Sequence, residues 1–232
     1  VAMFLAEPIQ GAGGVIVPQH DYFARVREIC DKYEVLFVSD EVITGFGRTG
    51  TKFGLEHWGV VPDMMQFAKA ITSGYFPLGG IGISDEIAEV MNSGDPVWMH
   101  AYTYSSHPVG CNVASTNLDI IEREGLIEMA AEKGALLKNK LNDAFQDHPH
   151  VGEVRGLGLM CAVEIVQDKA TKEEFPASDK VGPRVQAEAN QRGLFSRTRG
   201  DVYVLAPPVV ITEADIERTV SILAESITSV LG

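Results

Sequence analysis

Asp40 and Lys69 are the residues of this sequence best placed by type and spacing to do chemistry together. Asp40 closes the run Val35-Leu36-Phe37-Val38-Ser39, and Lys69 closes the run from Met64 to Ala68. Short apolar runs of this kind read as buried strands of a parallel sheet. Ligands of open α/β sheets bind beyond the carboxyl ends of such strands, so neighbouring runs would open both side chains into one crevice. Lys69 follows Gln66-Phe67-Ala68 and precedes small residues, which predicts poor solvation. Desolvation disfavours the ammonium and leaves a nucleophilic amine. An aspartate nearby can hold positive charge on a ring nitrogen. A Schiff-base lysine with a carboxylate for a pyridinium nitrogen is the pair that pyridoxal phosphate chemistry uses. A structural ion pair at a sheet edge is the other reading, and spacing alone leaves both open.

Other motifs fail their tests. Gly11-Ala12-Gly13-Gly14 suggests a dinucleotide loop, but position 16 is Ile where a glycine or alanine is required, and the acidic partner downstream is missing. Gly156-Leu157-Gly158 fails in the same way at Cys161. Neither a Gly-x-Ser-x-Gly elbow nor a His-Glu-x-x-His pair occurs, which removes the signatures of serine hydrolases and zinc proteases. His148 and His150 read as a loop rather than a metal pair, since no third ligand is spaced to join them.

The elements that must carry Asp40 and Lys69 follow from periodicity. Apolar runs at 1–6, 35–38, 64–68 and 81–83 predict strands. Phe23, Val26, Cys30 and Tyr33 mark a helix over 22–33 with Asp21 as its cap. Further helices are predicted after Ser84 and after Pro108. From about Gly125 the pattern changes: a long amphipathic helix over 126–147, then a glycine-rich strand over 155–160 leading into Ala162-Val163-Glu164-Ile165. An acidic, lysine-containing loop over 167–183 precedes a helix over 184–192. A closing helix begins at Thr212 with Asp215 in the capping-box position. The expected organisation is an α/β domain over residues 1–122, with a partial, mostly parallel sheet, and a smaller α+β domain over 123–232.

Composition narrows the function classes. With 232 residues, 45% hydrophobic and 22% charged, the chain has a globular rather than a disordered composition. A net charge of −13 without a basic patch argues against nucleic-acid binding. No apolar run reaches the ~20 residues of a spanning helix, so no membrane association is expected. Cys30, Cys111 and Cys161, odd in number and far apart, read as free thiols of a reducing, cytoplasmic compartment.

The text around the two residues is more specific. Asp40-Glu41-Val42-Ile43-Thr44-Gly45-Phe46-Gly47-Arg48-Thr49-Gly50, followed by Phe67-Ala68-Lys69-Ala70-Ile71-Thr72-Ser73-Gly74-Tyr75, closely resembles the class III aminotransferases, pyridoxal-phosphate enzymes of fold type I. The spacing of 29 residues from Asp40 to Lys69 fits that family. Glu7-Pro8-Ile9-Gln10-Gly11-Ala12-Gly13-Gly14 and His100-Ala101-Tyr102-Thr103-Tyr104-Ser105-Ser106-His107-Pro108 agree, in the family's order.

The resemblance implies a role for each matched residue. Lys69 would carry the cofactor as a Schiff base and shuttle a proton, and Asp40 would pair with the ring nitrogen. Val42 would pack on one ring face, and Thr103 would reach the cofactor phosphate across a dimer interface. Glu7 and Gln10 would lie near the cofactor, with a strand-end hydrogen bond as the other reading of Glu7 and a helix cap as the other reading of Thr103. Ala70, Ala101 and Ser106 stand where the family commonly has glycine, which adds side-chain volume but removes no reacting group.

The segment Phe195-Ser196-Arg197-Thr198-Arg199-Gly200-Asp201 bears on specificity. Amine:pyruvate-type members carry an arginine matching Arg197 that binds a substrate carboxylate, a task suited to the guanidinium fork; Arg199 competes for it. Ornithine-type members have their arginine where this sequence has Val204. The expected activity is transfer of an amino group from an amine or ω-amino acid to an oxo acid such as pyruvate. A homodimer or higher homo-oligomer with shared active sites is expected. An aminomutase or a decarboxylase on the same fold stays open. So does a non-catalytic piece, since no phosphate-binding Gly-Ser loop or ring-stacking aromatic is found and the chain opens at Val1 within an apolar run. On that reading the sequence is the C-terminal portion of a longer enzyme and is inactive alone.

Overall fold

The computed structural model describes residues 1–94 and 99–232. They form two compact units, each assembled from separate stretches of chain. The first comprises Val1–Pro8, Pro18–Gly47 and Thr51–Gly125; the second comprises Ile9–Val17, Arg48–Gly50 and Leu126–Gly232.

The first unit is built on a sheet of β1 (Met3–Ala6), β2 (Leu36–Asp40), β3 (Met64–Phe67) and β4 (Gly80–Ile83), in that spatial order. β1, β2 and β3 are parallel, and β4 closes the edge antiparallel to β3. The mostly parallel sheet expected from the apolar runs is thus present, with one reversed strand. Helix α1 (Tyr22–Lys32) makes the crossover from β1 to β2, burying Phe23 and Cys30. Phe23 stacks on Phe37 of β2 with ring centroids 5.9 Å apart and meets Trp58 edge-on at 5.1 Å. Full burial of such aromatic side chains contributes about 1.5–3 kcal/mol each. Asp63 anchors the opposite end of the sheet: Oδ2 accepts from the Phe37 backbone N–H at 2.6 Å and from Arg27 of α1 at 2.8 Å. Asp21 stands at the start of α1 without capping it, because its carboxylate pairs instead with Arg25 at 3.1 Å. Two helices complete the unit, α2 (Asp85–Ser93), capped by Ser84, and α3 (Pro108–Arg123), capped by the His107 ring.

The second unit has an antiparallel sheet in the order β5 (Val151–Leu157), β6 (Met160–Ile165), β8 (Val202–Leu205), β7 (Arg197–Arg199). Helices α4 (Leu126–Phe145), α5 (Val181–Gln191) and α6 (Glu213–Leu231) pack with it around a core that includes Leu137, Leu141, Val163, Tyr203, Ile216 and Leu223. Thr212 caps α6 by accepting from the Asp215 N–H at 3.1 Å, as its box position predicts. The glycine-rich stretch expected as one strand is instead a hairpin. Leu157 is in register with Met160, and Gly158 turns the chain at φ +53°. Apolar residues on both sides of that glycine hide the turn from a reading by periodicity. A side chain at Gly158 would also meet Thr49, whose carbonyl carbon lies 2.3 Å from the Cβ position.

Candidate active site

Asp40 ends β2 and is in register with Gln66 of β3. Neighbouring strands lie about 4.8 Å apart, and these two run parallel, so both deliver their carboxyl ends to the same edge of the sheet. Lys69 lies three residues beyond Gln66 and opens a short 3-10 turn, Lys69–Thr72. Ala6 of β1 is in register with Ser39, so Glu7 leaves its strand at the level of Asp40. Three predicted site residues from three adjacent parallel strands thus meet at one edge, and Val42 follows two residues after Asp40.

The Asp40 carboxylate is half committed. Its Oδ1 accepts from the Val42 backbone N–H at 3.1 Å, while among the described residues Oδ2 has no hydrogen-bond partner. Lys69 is exposed, and among the described residues its amine has no hydrogen-bond or ion-pair partner. The desolvated lysine expected from the sequence is therefore not found in this chain. Lys69 sits in a turn past the strand end rather than among the apolar side chains preceding it. A direct ion pair with Asp40 is also absent among the described residues. Both groups remain free for an external partner.

Lys69 adopts φ +46°, a left-handed conformation that residues with a Cβ rarely take. Such strain persists only where surrounding contacts over-determine it. Here the contacts come from α3: the Asn117 side-chain amide donates to the carbonyls of Ala70 at 2.9 Å and Ile71 at 3.1 Å. Thr72 Oγ1 donates to the Phe76 carbonyl at 2.6 Å and closes the following turn.

Thr103 belongs to the same unit, in an exposed turn ahead of α3 where Tyr102 and Ser105 exchange hydrogen bonds of 3.0 Å. The cap of α3 is the His107 ring, accepting from the Val109 N–H at 3.3 Å, so Thr103 does not serve as that cap. Ser106, at a position expected to favour glycine, has φ +56°.

Gln10 and Arg197 belong to the second unit. Gln10 forms a two-way backbone bridge with Ile16, at 3.1 and 3.2 Å. Arg155 of β5 clamps the loop so closed: its Nε donates to the Gly14 carbonyl at 3.0 Å and the Val15 carbonyl at 3.2 Å, and its guanidinium pairs with Glu153 and Glu164. Arg197 is in register with Val204, Val204 with Ala162, and Ala162 with Arg155. Residues directly opposite on antiparallel strands share a face. The face that displays Arg197 and Arg199 is therefore the one on which the 9–17 loop lies. Thr198, between them, points the other way and donates to Gln186 of α5 at 3.1 Å. Among the described residues neither Arg197 nor Arg199 has an acidic partner.

Three residues that position this machinery were not singled out from the sequence. Asn117 and Arg155 carry no local signal, since each acts on backbone far away in the chain. Glu41 stands inside the motif that carries the resemblance, but only the structure shows it buried, at 1% exposure. Asp40 Oδ2 and the Lys69 amine, both without a partner among the described residues, are an acceptor and a nucleophilic amine, which fits a cofactor bearing a protonated ring nitrogen and an aldehyde.

The family model described as Aminotransferase class-III matches residues 1–227. The chain is 46% identical over 223 residues to a putrescine–pyruvate aminotransferase of Pseudomonas aeruginosa, covering 96% of this chain and 48% of that protein. It is 43% identical to a diaminobutyrate–2-oxoglutarate transaminase of Halomonas elongata, covering 95% of this chain and 48% of that protein. Among solved structures, an (S)-enantioselective omega-transaminase from Thermomicrobium roseum superposes with a TM-score of 0.96 at 50% identity, covering 100% of this chain and 52% of that one. A PLP-bound amine transaminase from an uncultivated Pseudomonas species gives 0.95 at 42% identity, covering 99% and 52%. The chain spans about half the length of the relatives it matches.

Proposed function

The chain belongs to the class III aminotransferases, and we propose that it supplies the catalytic lysine of a transaminase that moves an amino group from an amine or ω-amino acid to an oxo acid such as pyruvate. The observation that carries this reading is that adjacent parallel strands deliver Asp40, with its Oδ2 free, and the segment leading into Lys69, with its amine free, to one edge of the sheet. The likeness to a putrescine–pyruvate aminotransferase and to amine transaminases supports the substrate class.

Pyridoxal phosphate, when bound, supplies an aldehyde that condenses with amines and a ring that accepts electrons from the substrate carbon. Lys69 Nζ would hold the cofactor and, when free, would carry a proton from and to the substrate carbon. Asp40 Oδ2 would accept from the protonated ring nitrogen. By resemblance to the family, Val42 would lie against the ring, and Glu7 and Gln10 would be cofactor-binding residues. Thr103 would donate to the cofactor phosphate of a neighbouring subunit in a homodimer with shared sites. Arg197 binds the carboxylate of the oxo acid through its paired N–H groups. Assignment to the cytoplasm rests on the three free cysteines. The proposed division is a cofactor-binding domain over about 1–122 and a small domain over about 123–232; the compact units differ from it in that residues 9–17 and 48–50 group with the second.

Borohydride reduction of the holoenzyme followed by peptide mapping tests the reading. Label on the Lys69 peptide is expected, and label elsewhere or none overturns it. Initial rates with an amine and pyruvate should give parallel double-reciprocal lines; release of carbon dioxide or migration of the amine within one substrate would favour a decarboxylase or aminomutase instead.

A further inference from the structure

We infer that Glu41 is a positioning residue, a buried carboxylate that fixes the direction of Asp40 and Val42 without touching the cofactor those residues hold. The inference rests on the roles of Asp40 and Val42 proposed above. Glu41 is 1% exposed. Its carboxylate accepts from Ser39 Oγ at 3.3 Å, Thr44 Oγ1 at 2.5 Å, Gly54 N at 2.8 Å and Leu55 N at 3.0 Å. Among the described residues no lysine, arginine or histidine pairs with it. Placing an ionised carboxylate out of water costs several kcal/mol unless hydrogen bonds replace its hydration, and here four neutral donors do so.

The backbone of Glu41 is held as firmly as its side chain. Its N–H donates to the Gln66 carbonyl at 2.9 Å, extending the contact of β2 with the strand that leads to Lys69, and its carbonyl accepts from the Gly45 N–H at 2.9 Å. The residue between Asp40 and Val42 is therefore tied at every polar atom. Those two residues are joined across it by the Val42 N–H bond to Asp40 Oδ1, which is what leaves Oδ2 free. Space around the anchor is closed: a Cβ at Gly54 would lie 2.8 Å from Thr44 Cβ and 3.0 Å from Pro8 Cβ.

Each carboxylate oxygen faces one backbone N–H, Leu55 on Oε1 and Gly54 on Oε2, and these can only donate, so both positions require an acceptor. Glutamine at position 41 keeps the size but turns an NH2 against at least one of them. A buried donor left unsatisfied is costly; relieving it by moving the Asp40–Val42 segment lowers cofactor affinity about tenfold. The test compares Glu41→Gln, Asp40→Asn, Thr44→Val and Thr44→Ser in the PLP-loaded enzyme. The readouts are the cofactor dissociation constant, the pH dependence of the bound cofactor's visible absorbance, and the melting temperature of the cofactor-free protein. Glu41→Gln is expected to weaken cofactor binding and to shift the absorbance profile in the same direction as Asp40→Asn. Thr44→Val should do so to a smaller extent, with Thr44→Ser restoring the parent behaviour. A lowered melting temperature with unchanged affinity and unchanged absorbance profile overturns the inference. Should Glu41→Gln not fold, the threonine pair decides by the same criteria. An Asp40→Asn enzyme with an unaltered absorbance profile would instead remove the assignment of Asp40, a distinct failure.

Discussion

Asn117 of α3 reaches back 47 residues to donate its side-chain amide to the carbonyl of Ala70, the residue after Lys69. With its second bond, to Ile71, it braces a lysine held in the left-handed region. Replacement of Asn117 by alanine removes both bonds, at about 0.5–1.5 kcal/mol each. The expected result is a loss of about 1–3 kcal/mol in urea unfolding, together with slower incorporation of cofactor at Lys69. A variant with parent stability and parent labelling rate would show that the turn holds itself.

Ser106 has φ +56°, a conformation glycine adopts without the steric cost a Cβ imposes. Ser106→Gly is expected to change stability by less than about 1 kcal/mol, in the stabilising direction, because relief of strain slightly exceeds the added entropy of the unfolded chain. Thermal denaturation of the two proteins measures it, and a fall in melting temperature contradicts it.

Tyr203 lies in the second core fully buried, and its hydroxyl has no hydrogen-bond partner among the described residues. Burial pushes its phenol up to about 12. A buried unsatisfied polar atom costs about 1–3 kcal/mol, so Tyr203→Phe is expected to stabilise the protein by about 1 kcal/mol. Denaturant midpoints of the pair decide the matter; a destabilised phenylalanine variant means that the hydroxyl is satisfied in solution.

His148 titrates below its ordinary value of 6.5, first because burial disfavours its charged form and then because His150 and Lys169 repel it. A group with a lowered folded-state pKa binds its proton later than in the unfolded chain. Its stabilising contribution is complete above pH 6.5 and is lost as the pH falls below that value. Replacing His148 with glutamine should flatten the decline in melting temperature below pH 6.5. Parallel declines in the two proteins would place the effect elsewhere.

The parts of this fold legible in the sequence are those governed by local periodicity. The parallel strands read as apolar runs, which puts Asp40 at the end of β2 and Lys69 just past β3; the expected burial holds for β2 only, since Met3 and Leu5 of β1 are exposed and β3 is half-buried. The cap at Thr212 was equally visible, because its donor and acceptor lie three residues apart. What stayed hidden depends on distant or isolated groups. Leu157 and Leu159 disguise the turn at Gly158, and Glu41 looks like an ordinary polar turn residue until its four donors converge. Lys69 is exposed where its sequence neighbours predict poor solvation, because neighbours in sequence are not neighbours in space: Phe67 belongs to the strand, Lys69 to the turn beyond it.

The second unit gathers residues 9–17 and 48–50 with everything after 126, and this interleaving carries a consequence for how the chain is made. Domains emerging from the ribosome tend to fold as units, the N-terminal ones first. Here the loop that Arg155 grips is synthesised about 140 residues before its partner, so it must wait without that support while the intervening chain is made. Closing so long a loop is entropically expensive and slow. The acquisition of structure by the 9–17 segment should therefore be among the last events of folding, and a chain released before β5 and β6 are complete would expose Val15 rather than bury it.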